Sequence, residues 1–459
     1  MKFEKLPLDE QKKIQWQNFQ DIFKYCRESI PYYKEKYQNI NSDIKDFYDL
    51  NRVPILTKKD IEKNYPDRIT MQTDDKADWE HHATGGTTDR LICVSNKDLR
   101  YHIYARGLRT MNIAGKCYPG RKRMVIPADV CSITCGSRKS EKEMLWDDLM
   151  SVISDKPKIL KNFYSFIKKN QWRLLSMMIF REKELPSFGP DGTGLEDEKL
   201  EYYIREISRY EPYLLRGLPT YLHMLAHFIE DNNFELPKIN VIKPMGSSAS
   251  PGIKAFLGNV FKCDVFEDYG SHEFGNIASE CEAHAGDHIA MSEFIVEIVR
   301  GDRHAKEGKL GNIIITDLKN RVMPFIRYQI GDVGRFYKTK CTCGRESIRV
   351  TVEGRLQDLI ITNDGKEYTS DHFRDFFLNY EGVRYFQLIQ ETREKIQVLI
   401  VQDKNKKFNK NDLMKILKSI FGEIQIRINI VKRIQPEASG KFRFVKSCSY
   451  MDLMNNQIR

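Results

Sequence analysis

The spacing of apolar positions predicts an α/β fold in the middle of the chain. Short apolar runs, each typical of a buried strand, occur at 124–127, 213–217, 241–245 and 265–269. Between the last two runs, Pro251 occupies the favoured first turn of a predicted helix over 252–261. Residues 241–269 therefore read as strand, loop, helix and strand, a unit whose ligands bind beyond the carboxyl ends of its strands.

The same reasoning predicts the flanking segments. Spaced apolar residues predict a helix over 9–37 that breaks at Pro31, and Thr57 is the predicted N-cap of a further helix with Asp60 in its first turn. Two strands are predicted at 294–300 and 312–318. After Arg355 the pattern becomes a compact α+β set, with helix 370–380, strands 385–390 and 396–402, helix 413–421 and strand 426–431. We therefore expect a large N-terminal domain over 1–354 and a small C-terminal domain over 355–459.

Composition narrows the possible partners. The chain has 459 residues, 41% of them hydrophobic and 30% charged, and a net charge of +10. Its Lys and Arg residues are scattered, which favours a basic surface that attracts anionic nucleotides or acids over a nucleic-acid site. There is no signal-peptide pattern and no run of about 18 apolar residues, so we expect no membrane partner. The ten cysteines are too sparse for a disulfide scaffold and indicate reduced thiols in a cytoplasmic protein.

One polar loop, residues 83–90, is the first candidate for chemistry. It holds two adjacent glycines, Gly85 and Gly86, between the hydroxyl-bearing Thr84, Thr87 and Thr88. Glycines allow close backbone approach, and amide and hydroxyl groups can converge on a polyphosphate. The loop lacks the Gly-Lys-Ser/Thr of a Walker A motif, and most Gly/Thr loops are ordinary turns.

Three later positions could complete such a site. Glu273 ends an acidic stretch that begins at Glu267, and carboxylates beside a phosphate suit Mg²⁺. Asp332 follows a glycine and could accept both hydroxyls of a ribose, although a β-turn aspartate looks the same. Lys441 lies in a small-residue loop, where a cation could meet a phosphate held elsewhere. Each of these positions alone is equally compatible with a surface turn.

Taken together, the motifs resemble a known family. ATGGTT, DYGSHEFG, RYQIGD, GRLQD with ITNDG, and SGKFRFV occur in the order seen in adenylate-forming acid–CoA ligases. The resemblance is greatest to the phenylacetate–CoA ligase branch, especially its CapK-like members, and is weakest over 95–210. It implies a large mixed α/β N-terminal domain that holds ATP and the acid, and a small mobile C-terminal domain that carries a catalytic lysine.

The resemblance also implies residue roles. The ATP phosphates would be held by Thr84, Gly85, Gly86, Thr87 and Thr88. The adenine would be surrounded by Gly246, Ser247, Ser248, Asp268, Tyr269 and Gly270. Ser271 would be a further nucleotide-binding residue, and Asp332 and Arg355 would bind the ribose. Glu273 would bring in Mg²⁺, and Lys441 would bridge the α-phosphate and the attacking carboxylate.

The implied reaction joins a small carboxylic acid to AMP with release of pyrophosphate, after which coenzyme A displaces AMP. A carrier protein, an amine or a hydroxyl remain alternative acceptors, and a catalytically silent nucleotide-binding protein is the alternative from another class. The chain departs from the family pattern at Asp89, Leu91, His272 and Gln357. The negative charge of Asp89 would repel a triphosphate, so the loop is expected to bind the terminal phosphates less tightly. We expect a monomer or a homodimer.

A second metal site is suggested by the cysteines. Cys281, His288, Cys341 and Cys343 together would form a Cys₃His set, which Zn²⁺ favours in structural sites. His284 competes with His288 for the fourth position. Unligated reduced cysteines are the alternative, because C-x-C is less diagnostic than C-x-x-C.

Overall fold

The computed structural model describes residues 3–40, 44–83, 91–113, 115–127, 181–186, 197–403, 406–435, 437 and 442–447. Its α-helices are α1 (Leu8–Ser29), α2 (Pro31–Lys36), α3 (Lys58–Asn64), α4 (Lys97–Ile113), α5 (Asp197–Tyr210), α6 (Pro219–Asn232), α7 (Pro251–Phe261), α8 (Ser370–Leu378) and α9 (Lys410–Phe421). None of these helices combines the length and the apolar character needed to cross a bilayer.

The strands of the same residues form several sheets. The first ten are β1 (Trp79–Ala83), β2 (Ile92–Asn96), β3 (Arg123–Ile126), β4 (Glu182–Glu184), β5 (Leu214–Gly217), β6 (Val241–Pro244), β7 (Asp264–Val265), β8 (Asp268–Ser271), β9 (Gly275–Ser279) and β10 (Asp287–Ile289). The others are β11 (Phe294–Arg300), β12 (Arg303–His304), β13 (Gly311–Asp317), β14 (Tyr328–Tyr337), β15 (Arg349–Arg355), β16 (Ile360–Ile361), β17 (Glu367–Tyr368), β18 (Val383–Thr392), β19 (Lys395–Gln402), β20 (Gln425–Ile430) and β21 (Val445–Ser447).

The chain forms two compact units. The first contains Met1–Thr110, Glu267–Val431 and Phe444–Arg459, and the second contains Met111–Phe266 and Lys432–Arg443. The predicted division of the chain at 354 and 355 stays a prediction.

The second unit is built on a parallel sheet in the order β4-β3-β5-β6-β7. Leu215 and Ile242, on its central strands, are completely buried, as expected for strands of a parallel sheet with both faces covered. Of the unit predicted over 241–269, the first strand and the helix are β6 and α7, with Pro251 at the start of the helix, and β7 then pairs in parallel with β6. This confirms the predicted strand–helix–strand arrangement but not the bounds of its last strand.

The strand predicted over 265–269 is wrong as a single element. β7 ends at Val265 and pairs in parallel with β6, whereas β8 begins at Asp268 and pairs antiparallel with β9 in another sheet. Phe266 and Glu267 connect the two sheets. Phe266, in the connection, is apolar and buried like the strand residues before it. The hydrophobic pattern therefore could not reveal where one strand ends and the next sheet begins.

The first unit contains an antiparallel sheet in the order β12-β11-β13-β14-β15-β10-β9-β8. The N-terminal helices α1 and α2 pack on it. They confirm the helix predicted over 9–37 with a break at Pro31. Gln15 Nε2 donates to the Phe294 carbonyl at 2.5 Å, and Tyr33 Oη donates to the Pro324 carbonyl at 2.6 Å. α3 begins with a capping box in which Thr57 is the N-cap, as predicted.

The C-terminal elements of the first unit form a further mixed sheet. Its order is β20-β19-β18-β21, with α8 packed against it through stacked Phe377 and Phe386 rings. The helix, strand, strand, helix and strand predicted after Arg355 are therefore confirmed as α8, β18, β19, α9 and β20.

Candidate active site

A polar network joins three strands of the first unit. Tyr269 Oη, on β8, donates to Asp332 Oδ2 on β14 at 3.0 Å. Arg355 Nε, at the end of β15, lies 3.1 Å from Asp332 Oδ1. The Asp332 charge raises the pKa of Arg355, and burial raises the pKa of Tyr269 well above its ordinary value, so the phenol stays protonated as a donor. The sequence predicted all three residues for a nucleotide site, and the structure brings them together.

The register of the β14–β15 ladder brings Asp332 and Arg355 together. Asp332 is directly opposite Arg355 in the antiparallel β14–β15 ladder. The residue before Arg355 is Gly354, whose φ of +124° is one that other residues rarely adopt. A Cβ on Gly354 would lie 2.2 Å from Ser370 Oγ. Both the backbone conformation and the close approach of Ser370 therefore favour glycine immediately before Arg355.

The β8–β9 hairpin accounts for two other predicted residues. Asp268 Oδ2 accepts from Asn276 Nδ2 at 2.9 Å and from Thr110 Oγ1 at 3.4 Å, which ties the hairpin to α4. A Cβ on Gly270 would lie 2.5 Å from the Gly275 carbonyl oxygen. The close approach at Gly270 is thus made by the partner strand.

Glu273 lies at a polar cavity of about 180 Å³ at the tip of this hairpin. The lining residues are Cys93, Val94, Ser95, Ile103, Ser271, His272, Glu273, Gly275 and Asn320. Ser271 Oγ is buried and has no hydrogen-bond partner among the described residues. Burial and then the Glu273 charge raise the pKa of the Cys93 thiol, so this lining group stays protonated beside the Glu273 side chain. Such a wall suits a hard cation or polar ligand atoms.

Arg106, on α4, is a site residue that the sequence analysis missed. Its side chain is buried, forms an ion pair with Glu293, and donates from Nη2 to the Phe274 carbonyl at 2.6 Å. Burial lowers the pKa of this guanidinium to about 10. Arg106 therefore fixes the backbone immediately after Glu273. The sequence feature that could have revealed Arg106 was its positive charge, one helical turn from Ile103 and from Thr110. It lies in the part of the chain, 95–210, where the family resemblance is weakest.

The remaining predicted nucleotide residues are not part of this network as described. Gly246, Ser247 and Ser248 follow β6 in the second unit, where Gly246 adopts a φ of +82°. The residues predicted for the phosphates and the catalytic cation, Thr84, Gly85, Gly86, Thr87, Thr88 and Lys441, lie outside the described residues. Their roles stay predictions.

Four potential metal ligands converge elsewhere in the first unit. The donor atoms of Cys281, His288, Cys341 and Cys343 all lie within 4.8 Å of one another. His284, the competing histidine, lies instead with Nδ1 3.2 Å from Glu280 Oε1. Burial lowers the pKa of His288 to about 4, so its ring is neutral near pH 7, as metal coordination requires.

Comparison with known proteins identifies relatives of the chain. Residues 360–448 match the model of the CapK C-terminal domain. The chain is 24% identical over 331 residues to the CapK protein of Staphylococcus aureus, an alignment that covers 70% of this chain and 62% of CapK. It is 21% identical over 401 residues to a phenylacetate–coenzyme A ligase of Thermus thermophilus, covering 84% of this chain and 79% of that enzyme. The chain is therefore similar to CapK and to phenylacetate–coenzyme A ligases, and it spans about 62% of the length of CapK.

A solved structure shares the fold of this chain. The crystal structure of a 2-hydroxyisobutyryl-CoA ligase in its postadenylation state superimposes with a TM-score of 0.71 at 16% identity. The match covers 99% of this chain and 94% of that one. The predicted α/β fold class of the adenylate-forming superfamily is confirmed.

Proposed function

We propose that this chain is an ATP-dependent, AMP-forming carboxylic acid ligase. The observation that carries the proposal is the network of Tyr269, Asp332 and Arg355 in a chain of this fold. An ionised carboxylate is a strong acceptor for paired hydroxyl groups, and the ribose of ATP offers two. Arg355 and Tyr269 hold the Asp332 carboxylate at 3.1 Å and 3.0 Å, so its orientation is set before a nucleotide arrives.

The proposed reaction has two steps. A carboxylate oxygen of the acid attacks the α-phosphorus of ATP, the bond to the bridging oxygen breaks, and pyrophosphate leaves with that electron pair. The thiolate of coenzyme A then attacks the acyl carbon, and AMP leaves. Negative charge develops on the phosphorus oxygens in the first step, and Lys441 is the proposed cation that stabilises it.

Glu273 is the proposed contact for Mg²⁺. Its carboxylate faces a polar cavity and makes no ion pair within the described part of the chain, so its oxygens fit a hard cation. A bound Mg²⁺ would neutralise phosphate charge. Arg106 would keep Glu273 in place through the neighbouring Phe274 carbonyl.

The acceptor and the second metal complete the proposal. Coenzyme A is the proposed acceptor, because two of the curated relatives are named as coenzyme A ligases. Zn²⁺ is the proposed ligand of Cys281, His288, Cys341 and Cys343, and its role would be structural. A cytoplasmic location and a monomeric or homodimeric state stay predictions.

The test is carboxylate-dependent exchange between ATP and labelled pyrophosphate, measured across aromatic, aliphatic and hydroxylated acids. We expect exchange with at least one acid class and none without acid. Thioester formation is then measured with coenzyme A, with hydroxylamine as an amine acceptor in parallel. Nucleotide binding without exchange for any acid would identify a silent nucleotide-binding protein and refute the proposal.

A further inference from the structure

Two donor–donor distances in the cysteine and histidine cluster are close to those of a tetrahedral zinc site, and all four donor atoms lie within 4.8 Å of one another. Zn–S and Zn–N bonds of about 2.3 and 2.0 Å at tetrahedral angles place two sulfurs roughly 3.8 Å apart and a sulfur and a nitrogen roughly 3.5 Å apart. Cys281 Sγ lies 3.6 Å from Cys341 Sγ, and Cys343 Sγ lies 3.3 Å from His288 Nε2. The other ring nitrogen, His288 Nδ1, lies 2.9 Å from Ser347 Oγ, so a second hydrogen bond orients the imidazole.

The turn that supplies two of these cysteines also holds the N-terminal segment. Cys341 and Cys343 are followed by Arg345 and Glu346. The Glu346 amide donates to the Glu4 carbonyl at 3.0 Å, and Arg345 Nε lies 3.6 Å from Glu4 Oε2. Both Arg345 and Glu4 are buried. One end of the N-terminal segment is thus fixed by residues two to three positions beyond a potential metal ligand.

Helix α1 receives its N-terminal cap from the same turn. Its own N-cap position is Pro7, which supplies no side-chain hydrogen bond. The amide of Leu8, one of the donors left without a partner inside the helix, donates instead to Glu346 Oε2 at 3.3 Å. A cap so distant in sequence holds the helix only while the turn itself is held.

We infer that zinc bound by Cys281, His288, Cys341 and Cys343 stabilises the N-terminal turn of α1 by fixing the 341–347 turn that caps it. The inference rests on the zinc proposed above. The thiols and the imidazole alone offer one another only weak hydrogen bonds. A metal joins them by coordinate bonds and makes the conformation of the turn, including Arg345 and Glu346, depend on its presence.

The experiment combines metal analysis with amide hydrogen exchange on the full chain, purified without immobilised metal. We expect one zinc per chain. Removal of zinc with a chelator should speed exchange of the hydrogen-bonded amides of Leu8 and Gln11 by about tenfold or more, the equivalent of losing roughly one hydrogen bond to a charged group. Exchange in α7 of the second unit is the internal control, and added Zn²⁺ should restore protection.

Variants separate the metal from the cap. Cys343→Ser should lose zinc and protection together, whereas Glu346→Ala should keep zinc and lose protection only at the start of α1. Cys263→Ser, at a half-exposed cysteine of the second unit, is the matched control and should change neither quantity. Zinc bound with no change in exchange on its removal would overturn the inference and leave the metal site. Absence of stoichiometric zinc would overturn both, while pyrophosphate exchange judges the ligase proposal separately.

Discussion

Neutralising Asp332 tests the ribose role of the three-strand network. Asp332→Asn keeps the shape of the side chain but removes its charge and places a donor where an acceptor was. Two ribose hydroxyls on a charged acceptor contribute about 1.5–3 kcal/mol each, and a neutral amide oxygen retains roughly one bond of about 1 kcal/mol. We therefore expect the variant to bind ATP more weakly by about 2–5 kcal/mol, or roughly 30- to 4,000-fold.

The chain offers a matched control on the same two strands. Glu353 of β15 pairs with Arg335 of β14, their closest atoms being 2.5 Å apart, and this pair is also partly exposed. Glu353→Gln removes an equivalent charge without touching the network. Equilibrium dialysis with ATP should give near-native affinity for Glu353→Gln and a large loss for Asp332→Asn. Equal losses in the two variants would refute a specific ribose role for Asp332.

The stability of both variants must be known for that comparison. The Asp332 side chain is 10% exposed but its partner Arg355 is 53% exposed, so water can solvate the arginine that is left. We expect the loss of unfolding free energy to stay below the 3–5 kcal/mol typical of breaking a buried pair. Urea unfolding at pH 7 measures it. A larger loss would mean that the network is chiefly structural.

Three further predictions concern other parts of the site. Lys441→Ala should lower acyl-AMP formation by about 100- to 1,000-fold, the effect of losing one preorganised donor, and should change thioester formation from preformed acyl-AMP much less; near-native pyrophosphate exchange would exclude this lysine. Gly354→Ala should reduce stability by roughly 1–3 kcal/mol in urea unfolding because of its backbone strain and its clash with Ser370; unchanged stability would contradict the strain. Arg106→Lys keeps the charge but cannot hold both Glu293 and the Phe274 carbonyl, so adenylation should need more Mg²⁺; an unchanged Mg²⁺ dependence would remove its positioning role.

Local features of the fold were predictable where one segment decides them. Pro31 ends a helix through its own ring, and Thr57 and Asp60 cap each other within one turn. The prediction of a single strand over 265–269 was wrong because a change of sheet does not alter the alternation of apolar residues. β7 and β8 are also too short to show a period of their own.

The site was predictable only in part, because its contacts are distant in sequence. The resemblance placed Tyr269 beside the nucleotide, whereas its hydroxyl contact with Asp332, 63 residues away, required coordinates. Arg106 belongs to no motif and acts through a carbonyl 168 residues later. The metal ligands were grouped by residue type, but only the packing of the strands distinguishes His288 from His284.

Isotope transfer tests the central claim most directly. If a carboxylate of the substrate attacks the α-phosphorus of ATP, one of its oxygens stays on AMP when the acyl group is transferred. With the acid selected by the exchange panel and labelled with ¹⁸O in its carboxyl group, mass spectrometry of the products should find one ¹⁸O in AMP and none in pyrophosphate. Unlabelled AMP, or label in inorganic phosphate with formation of ADP, would contradict the account.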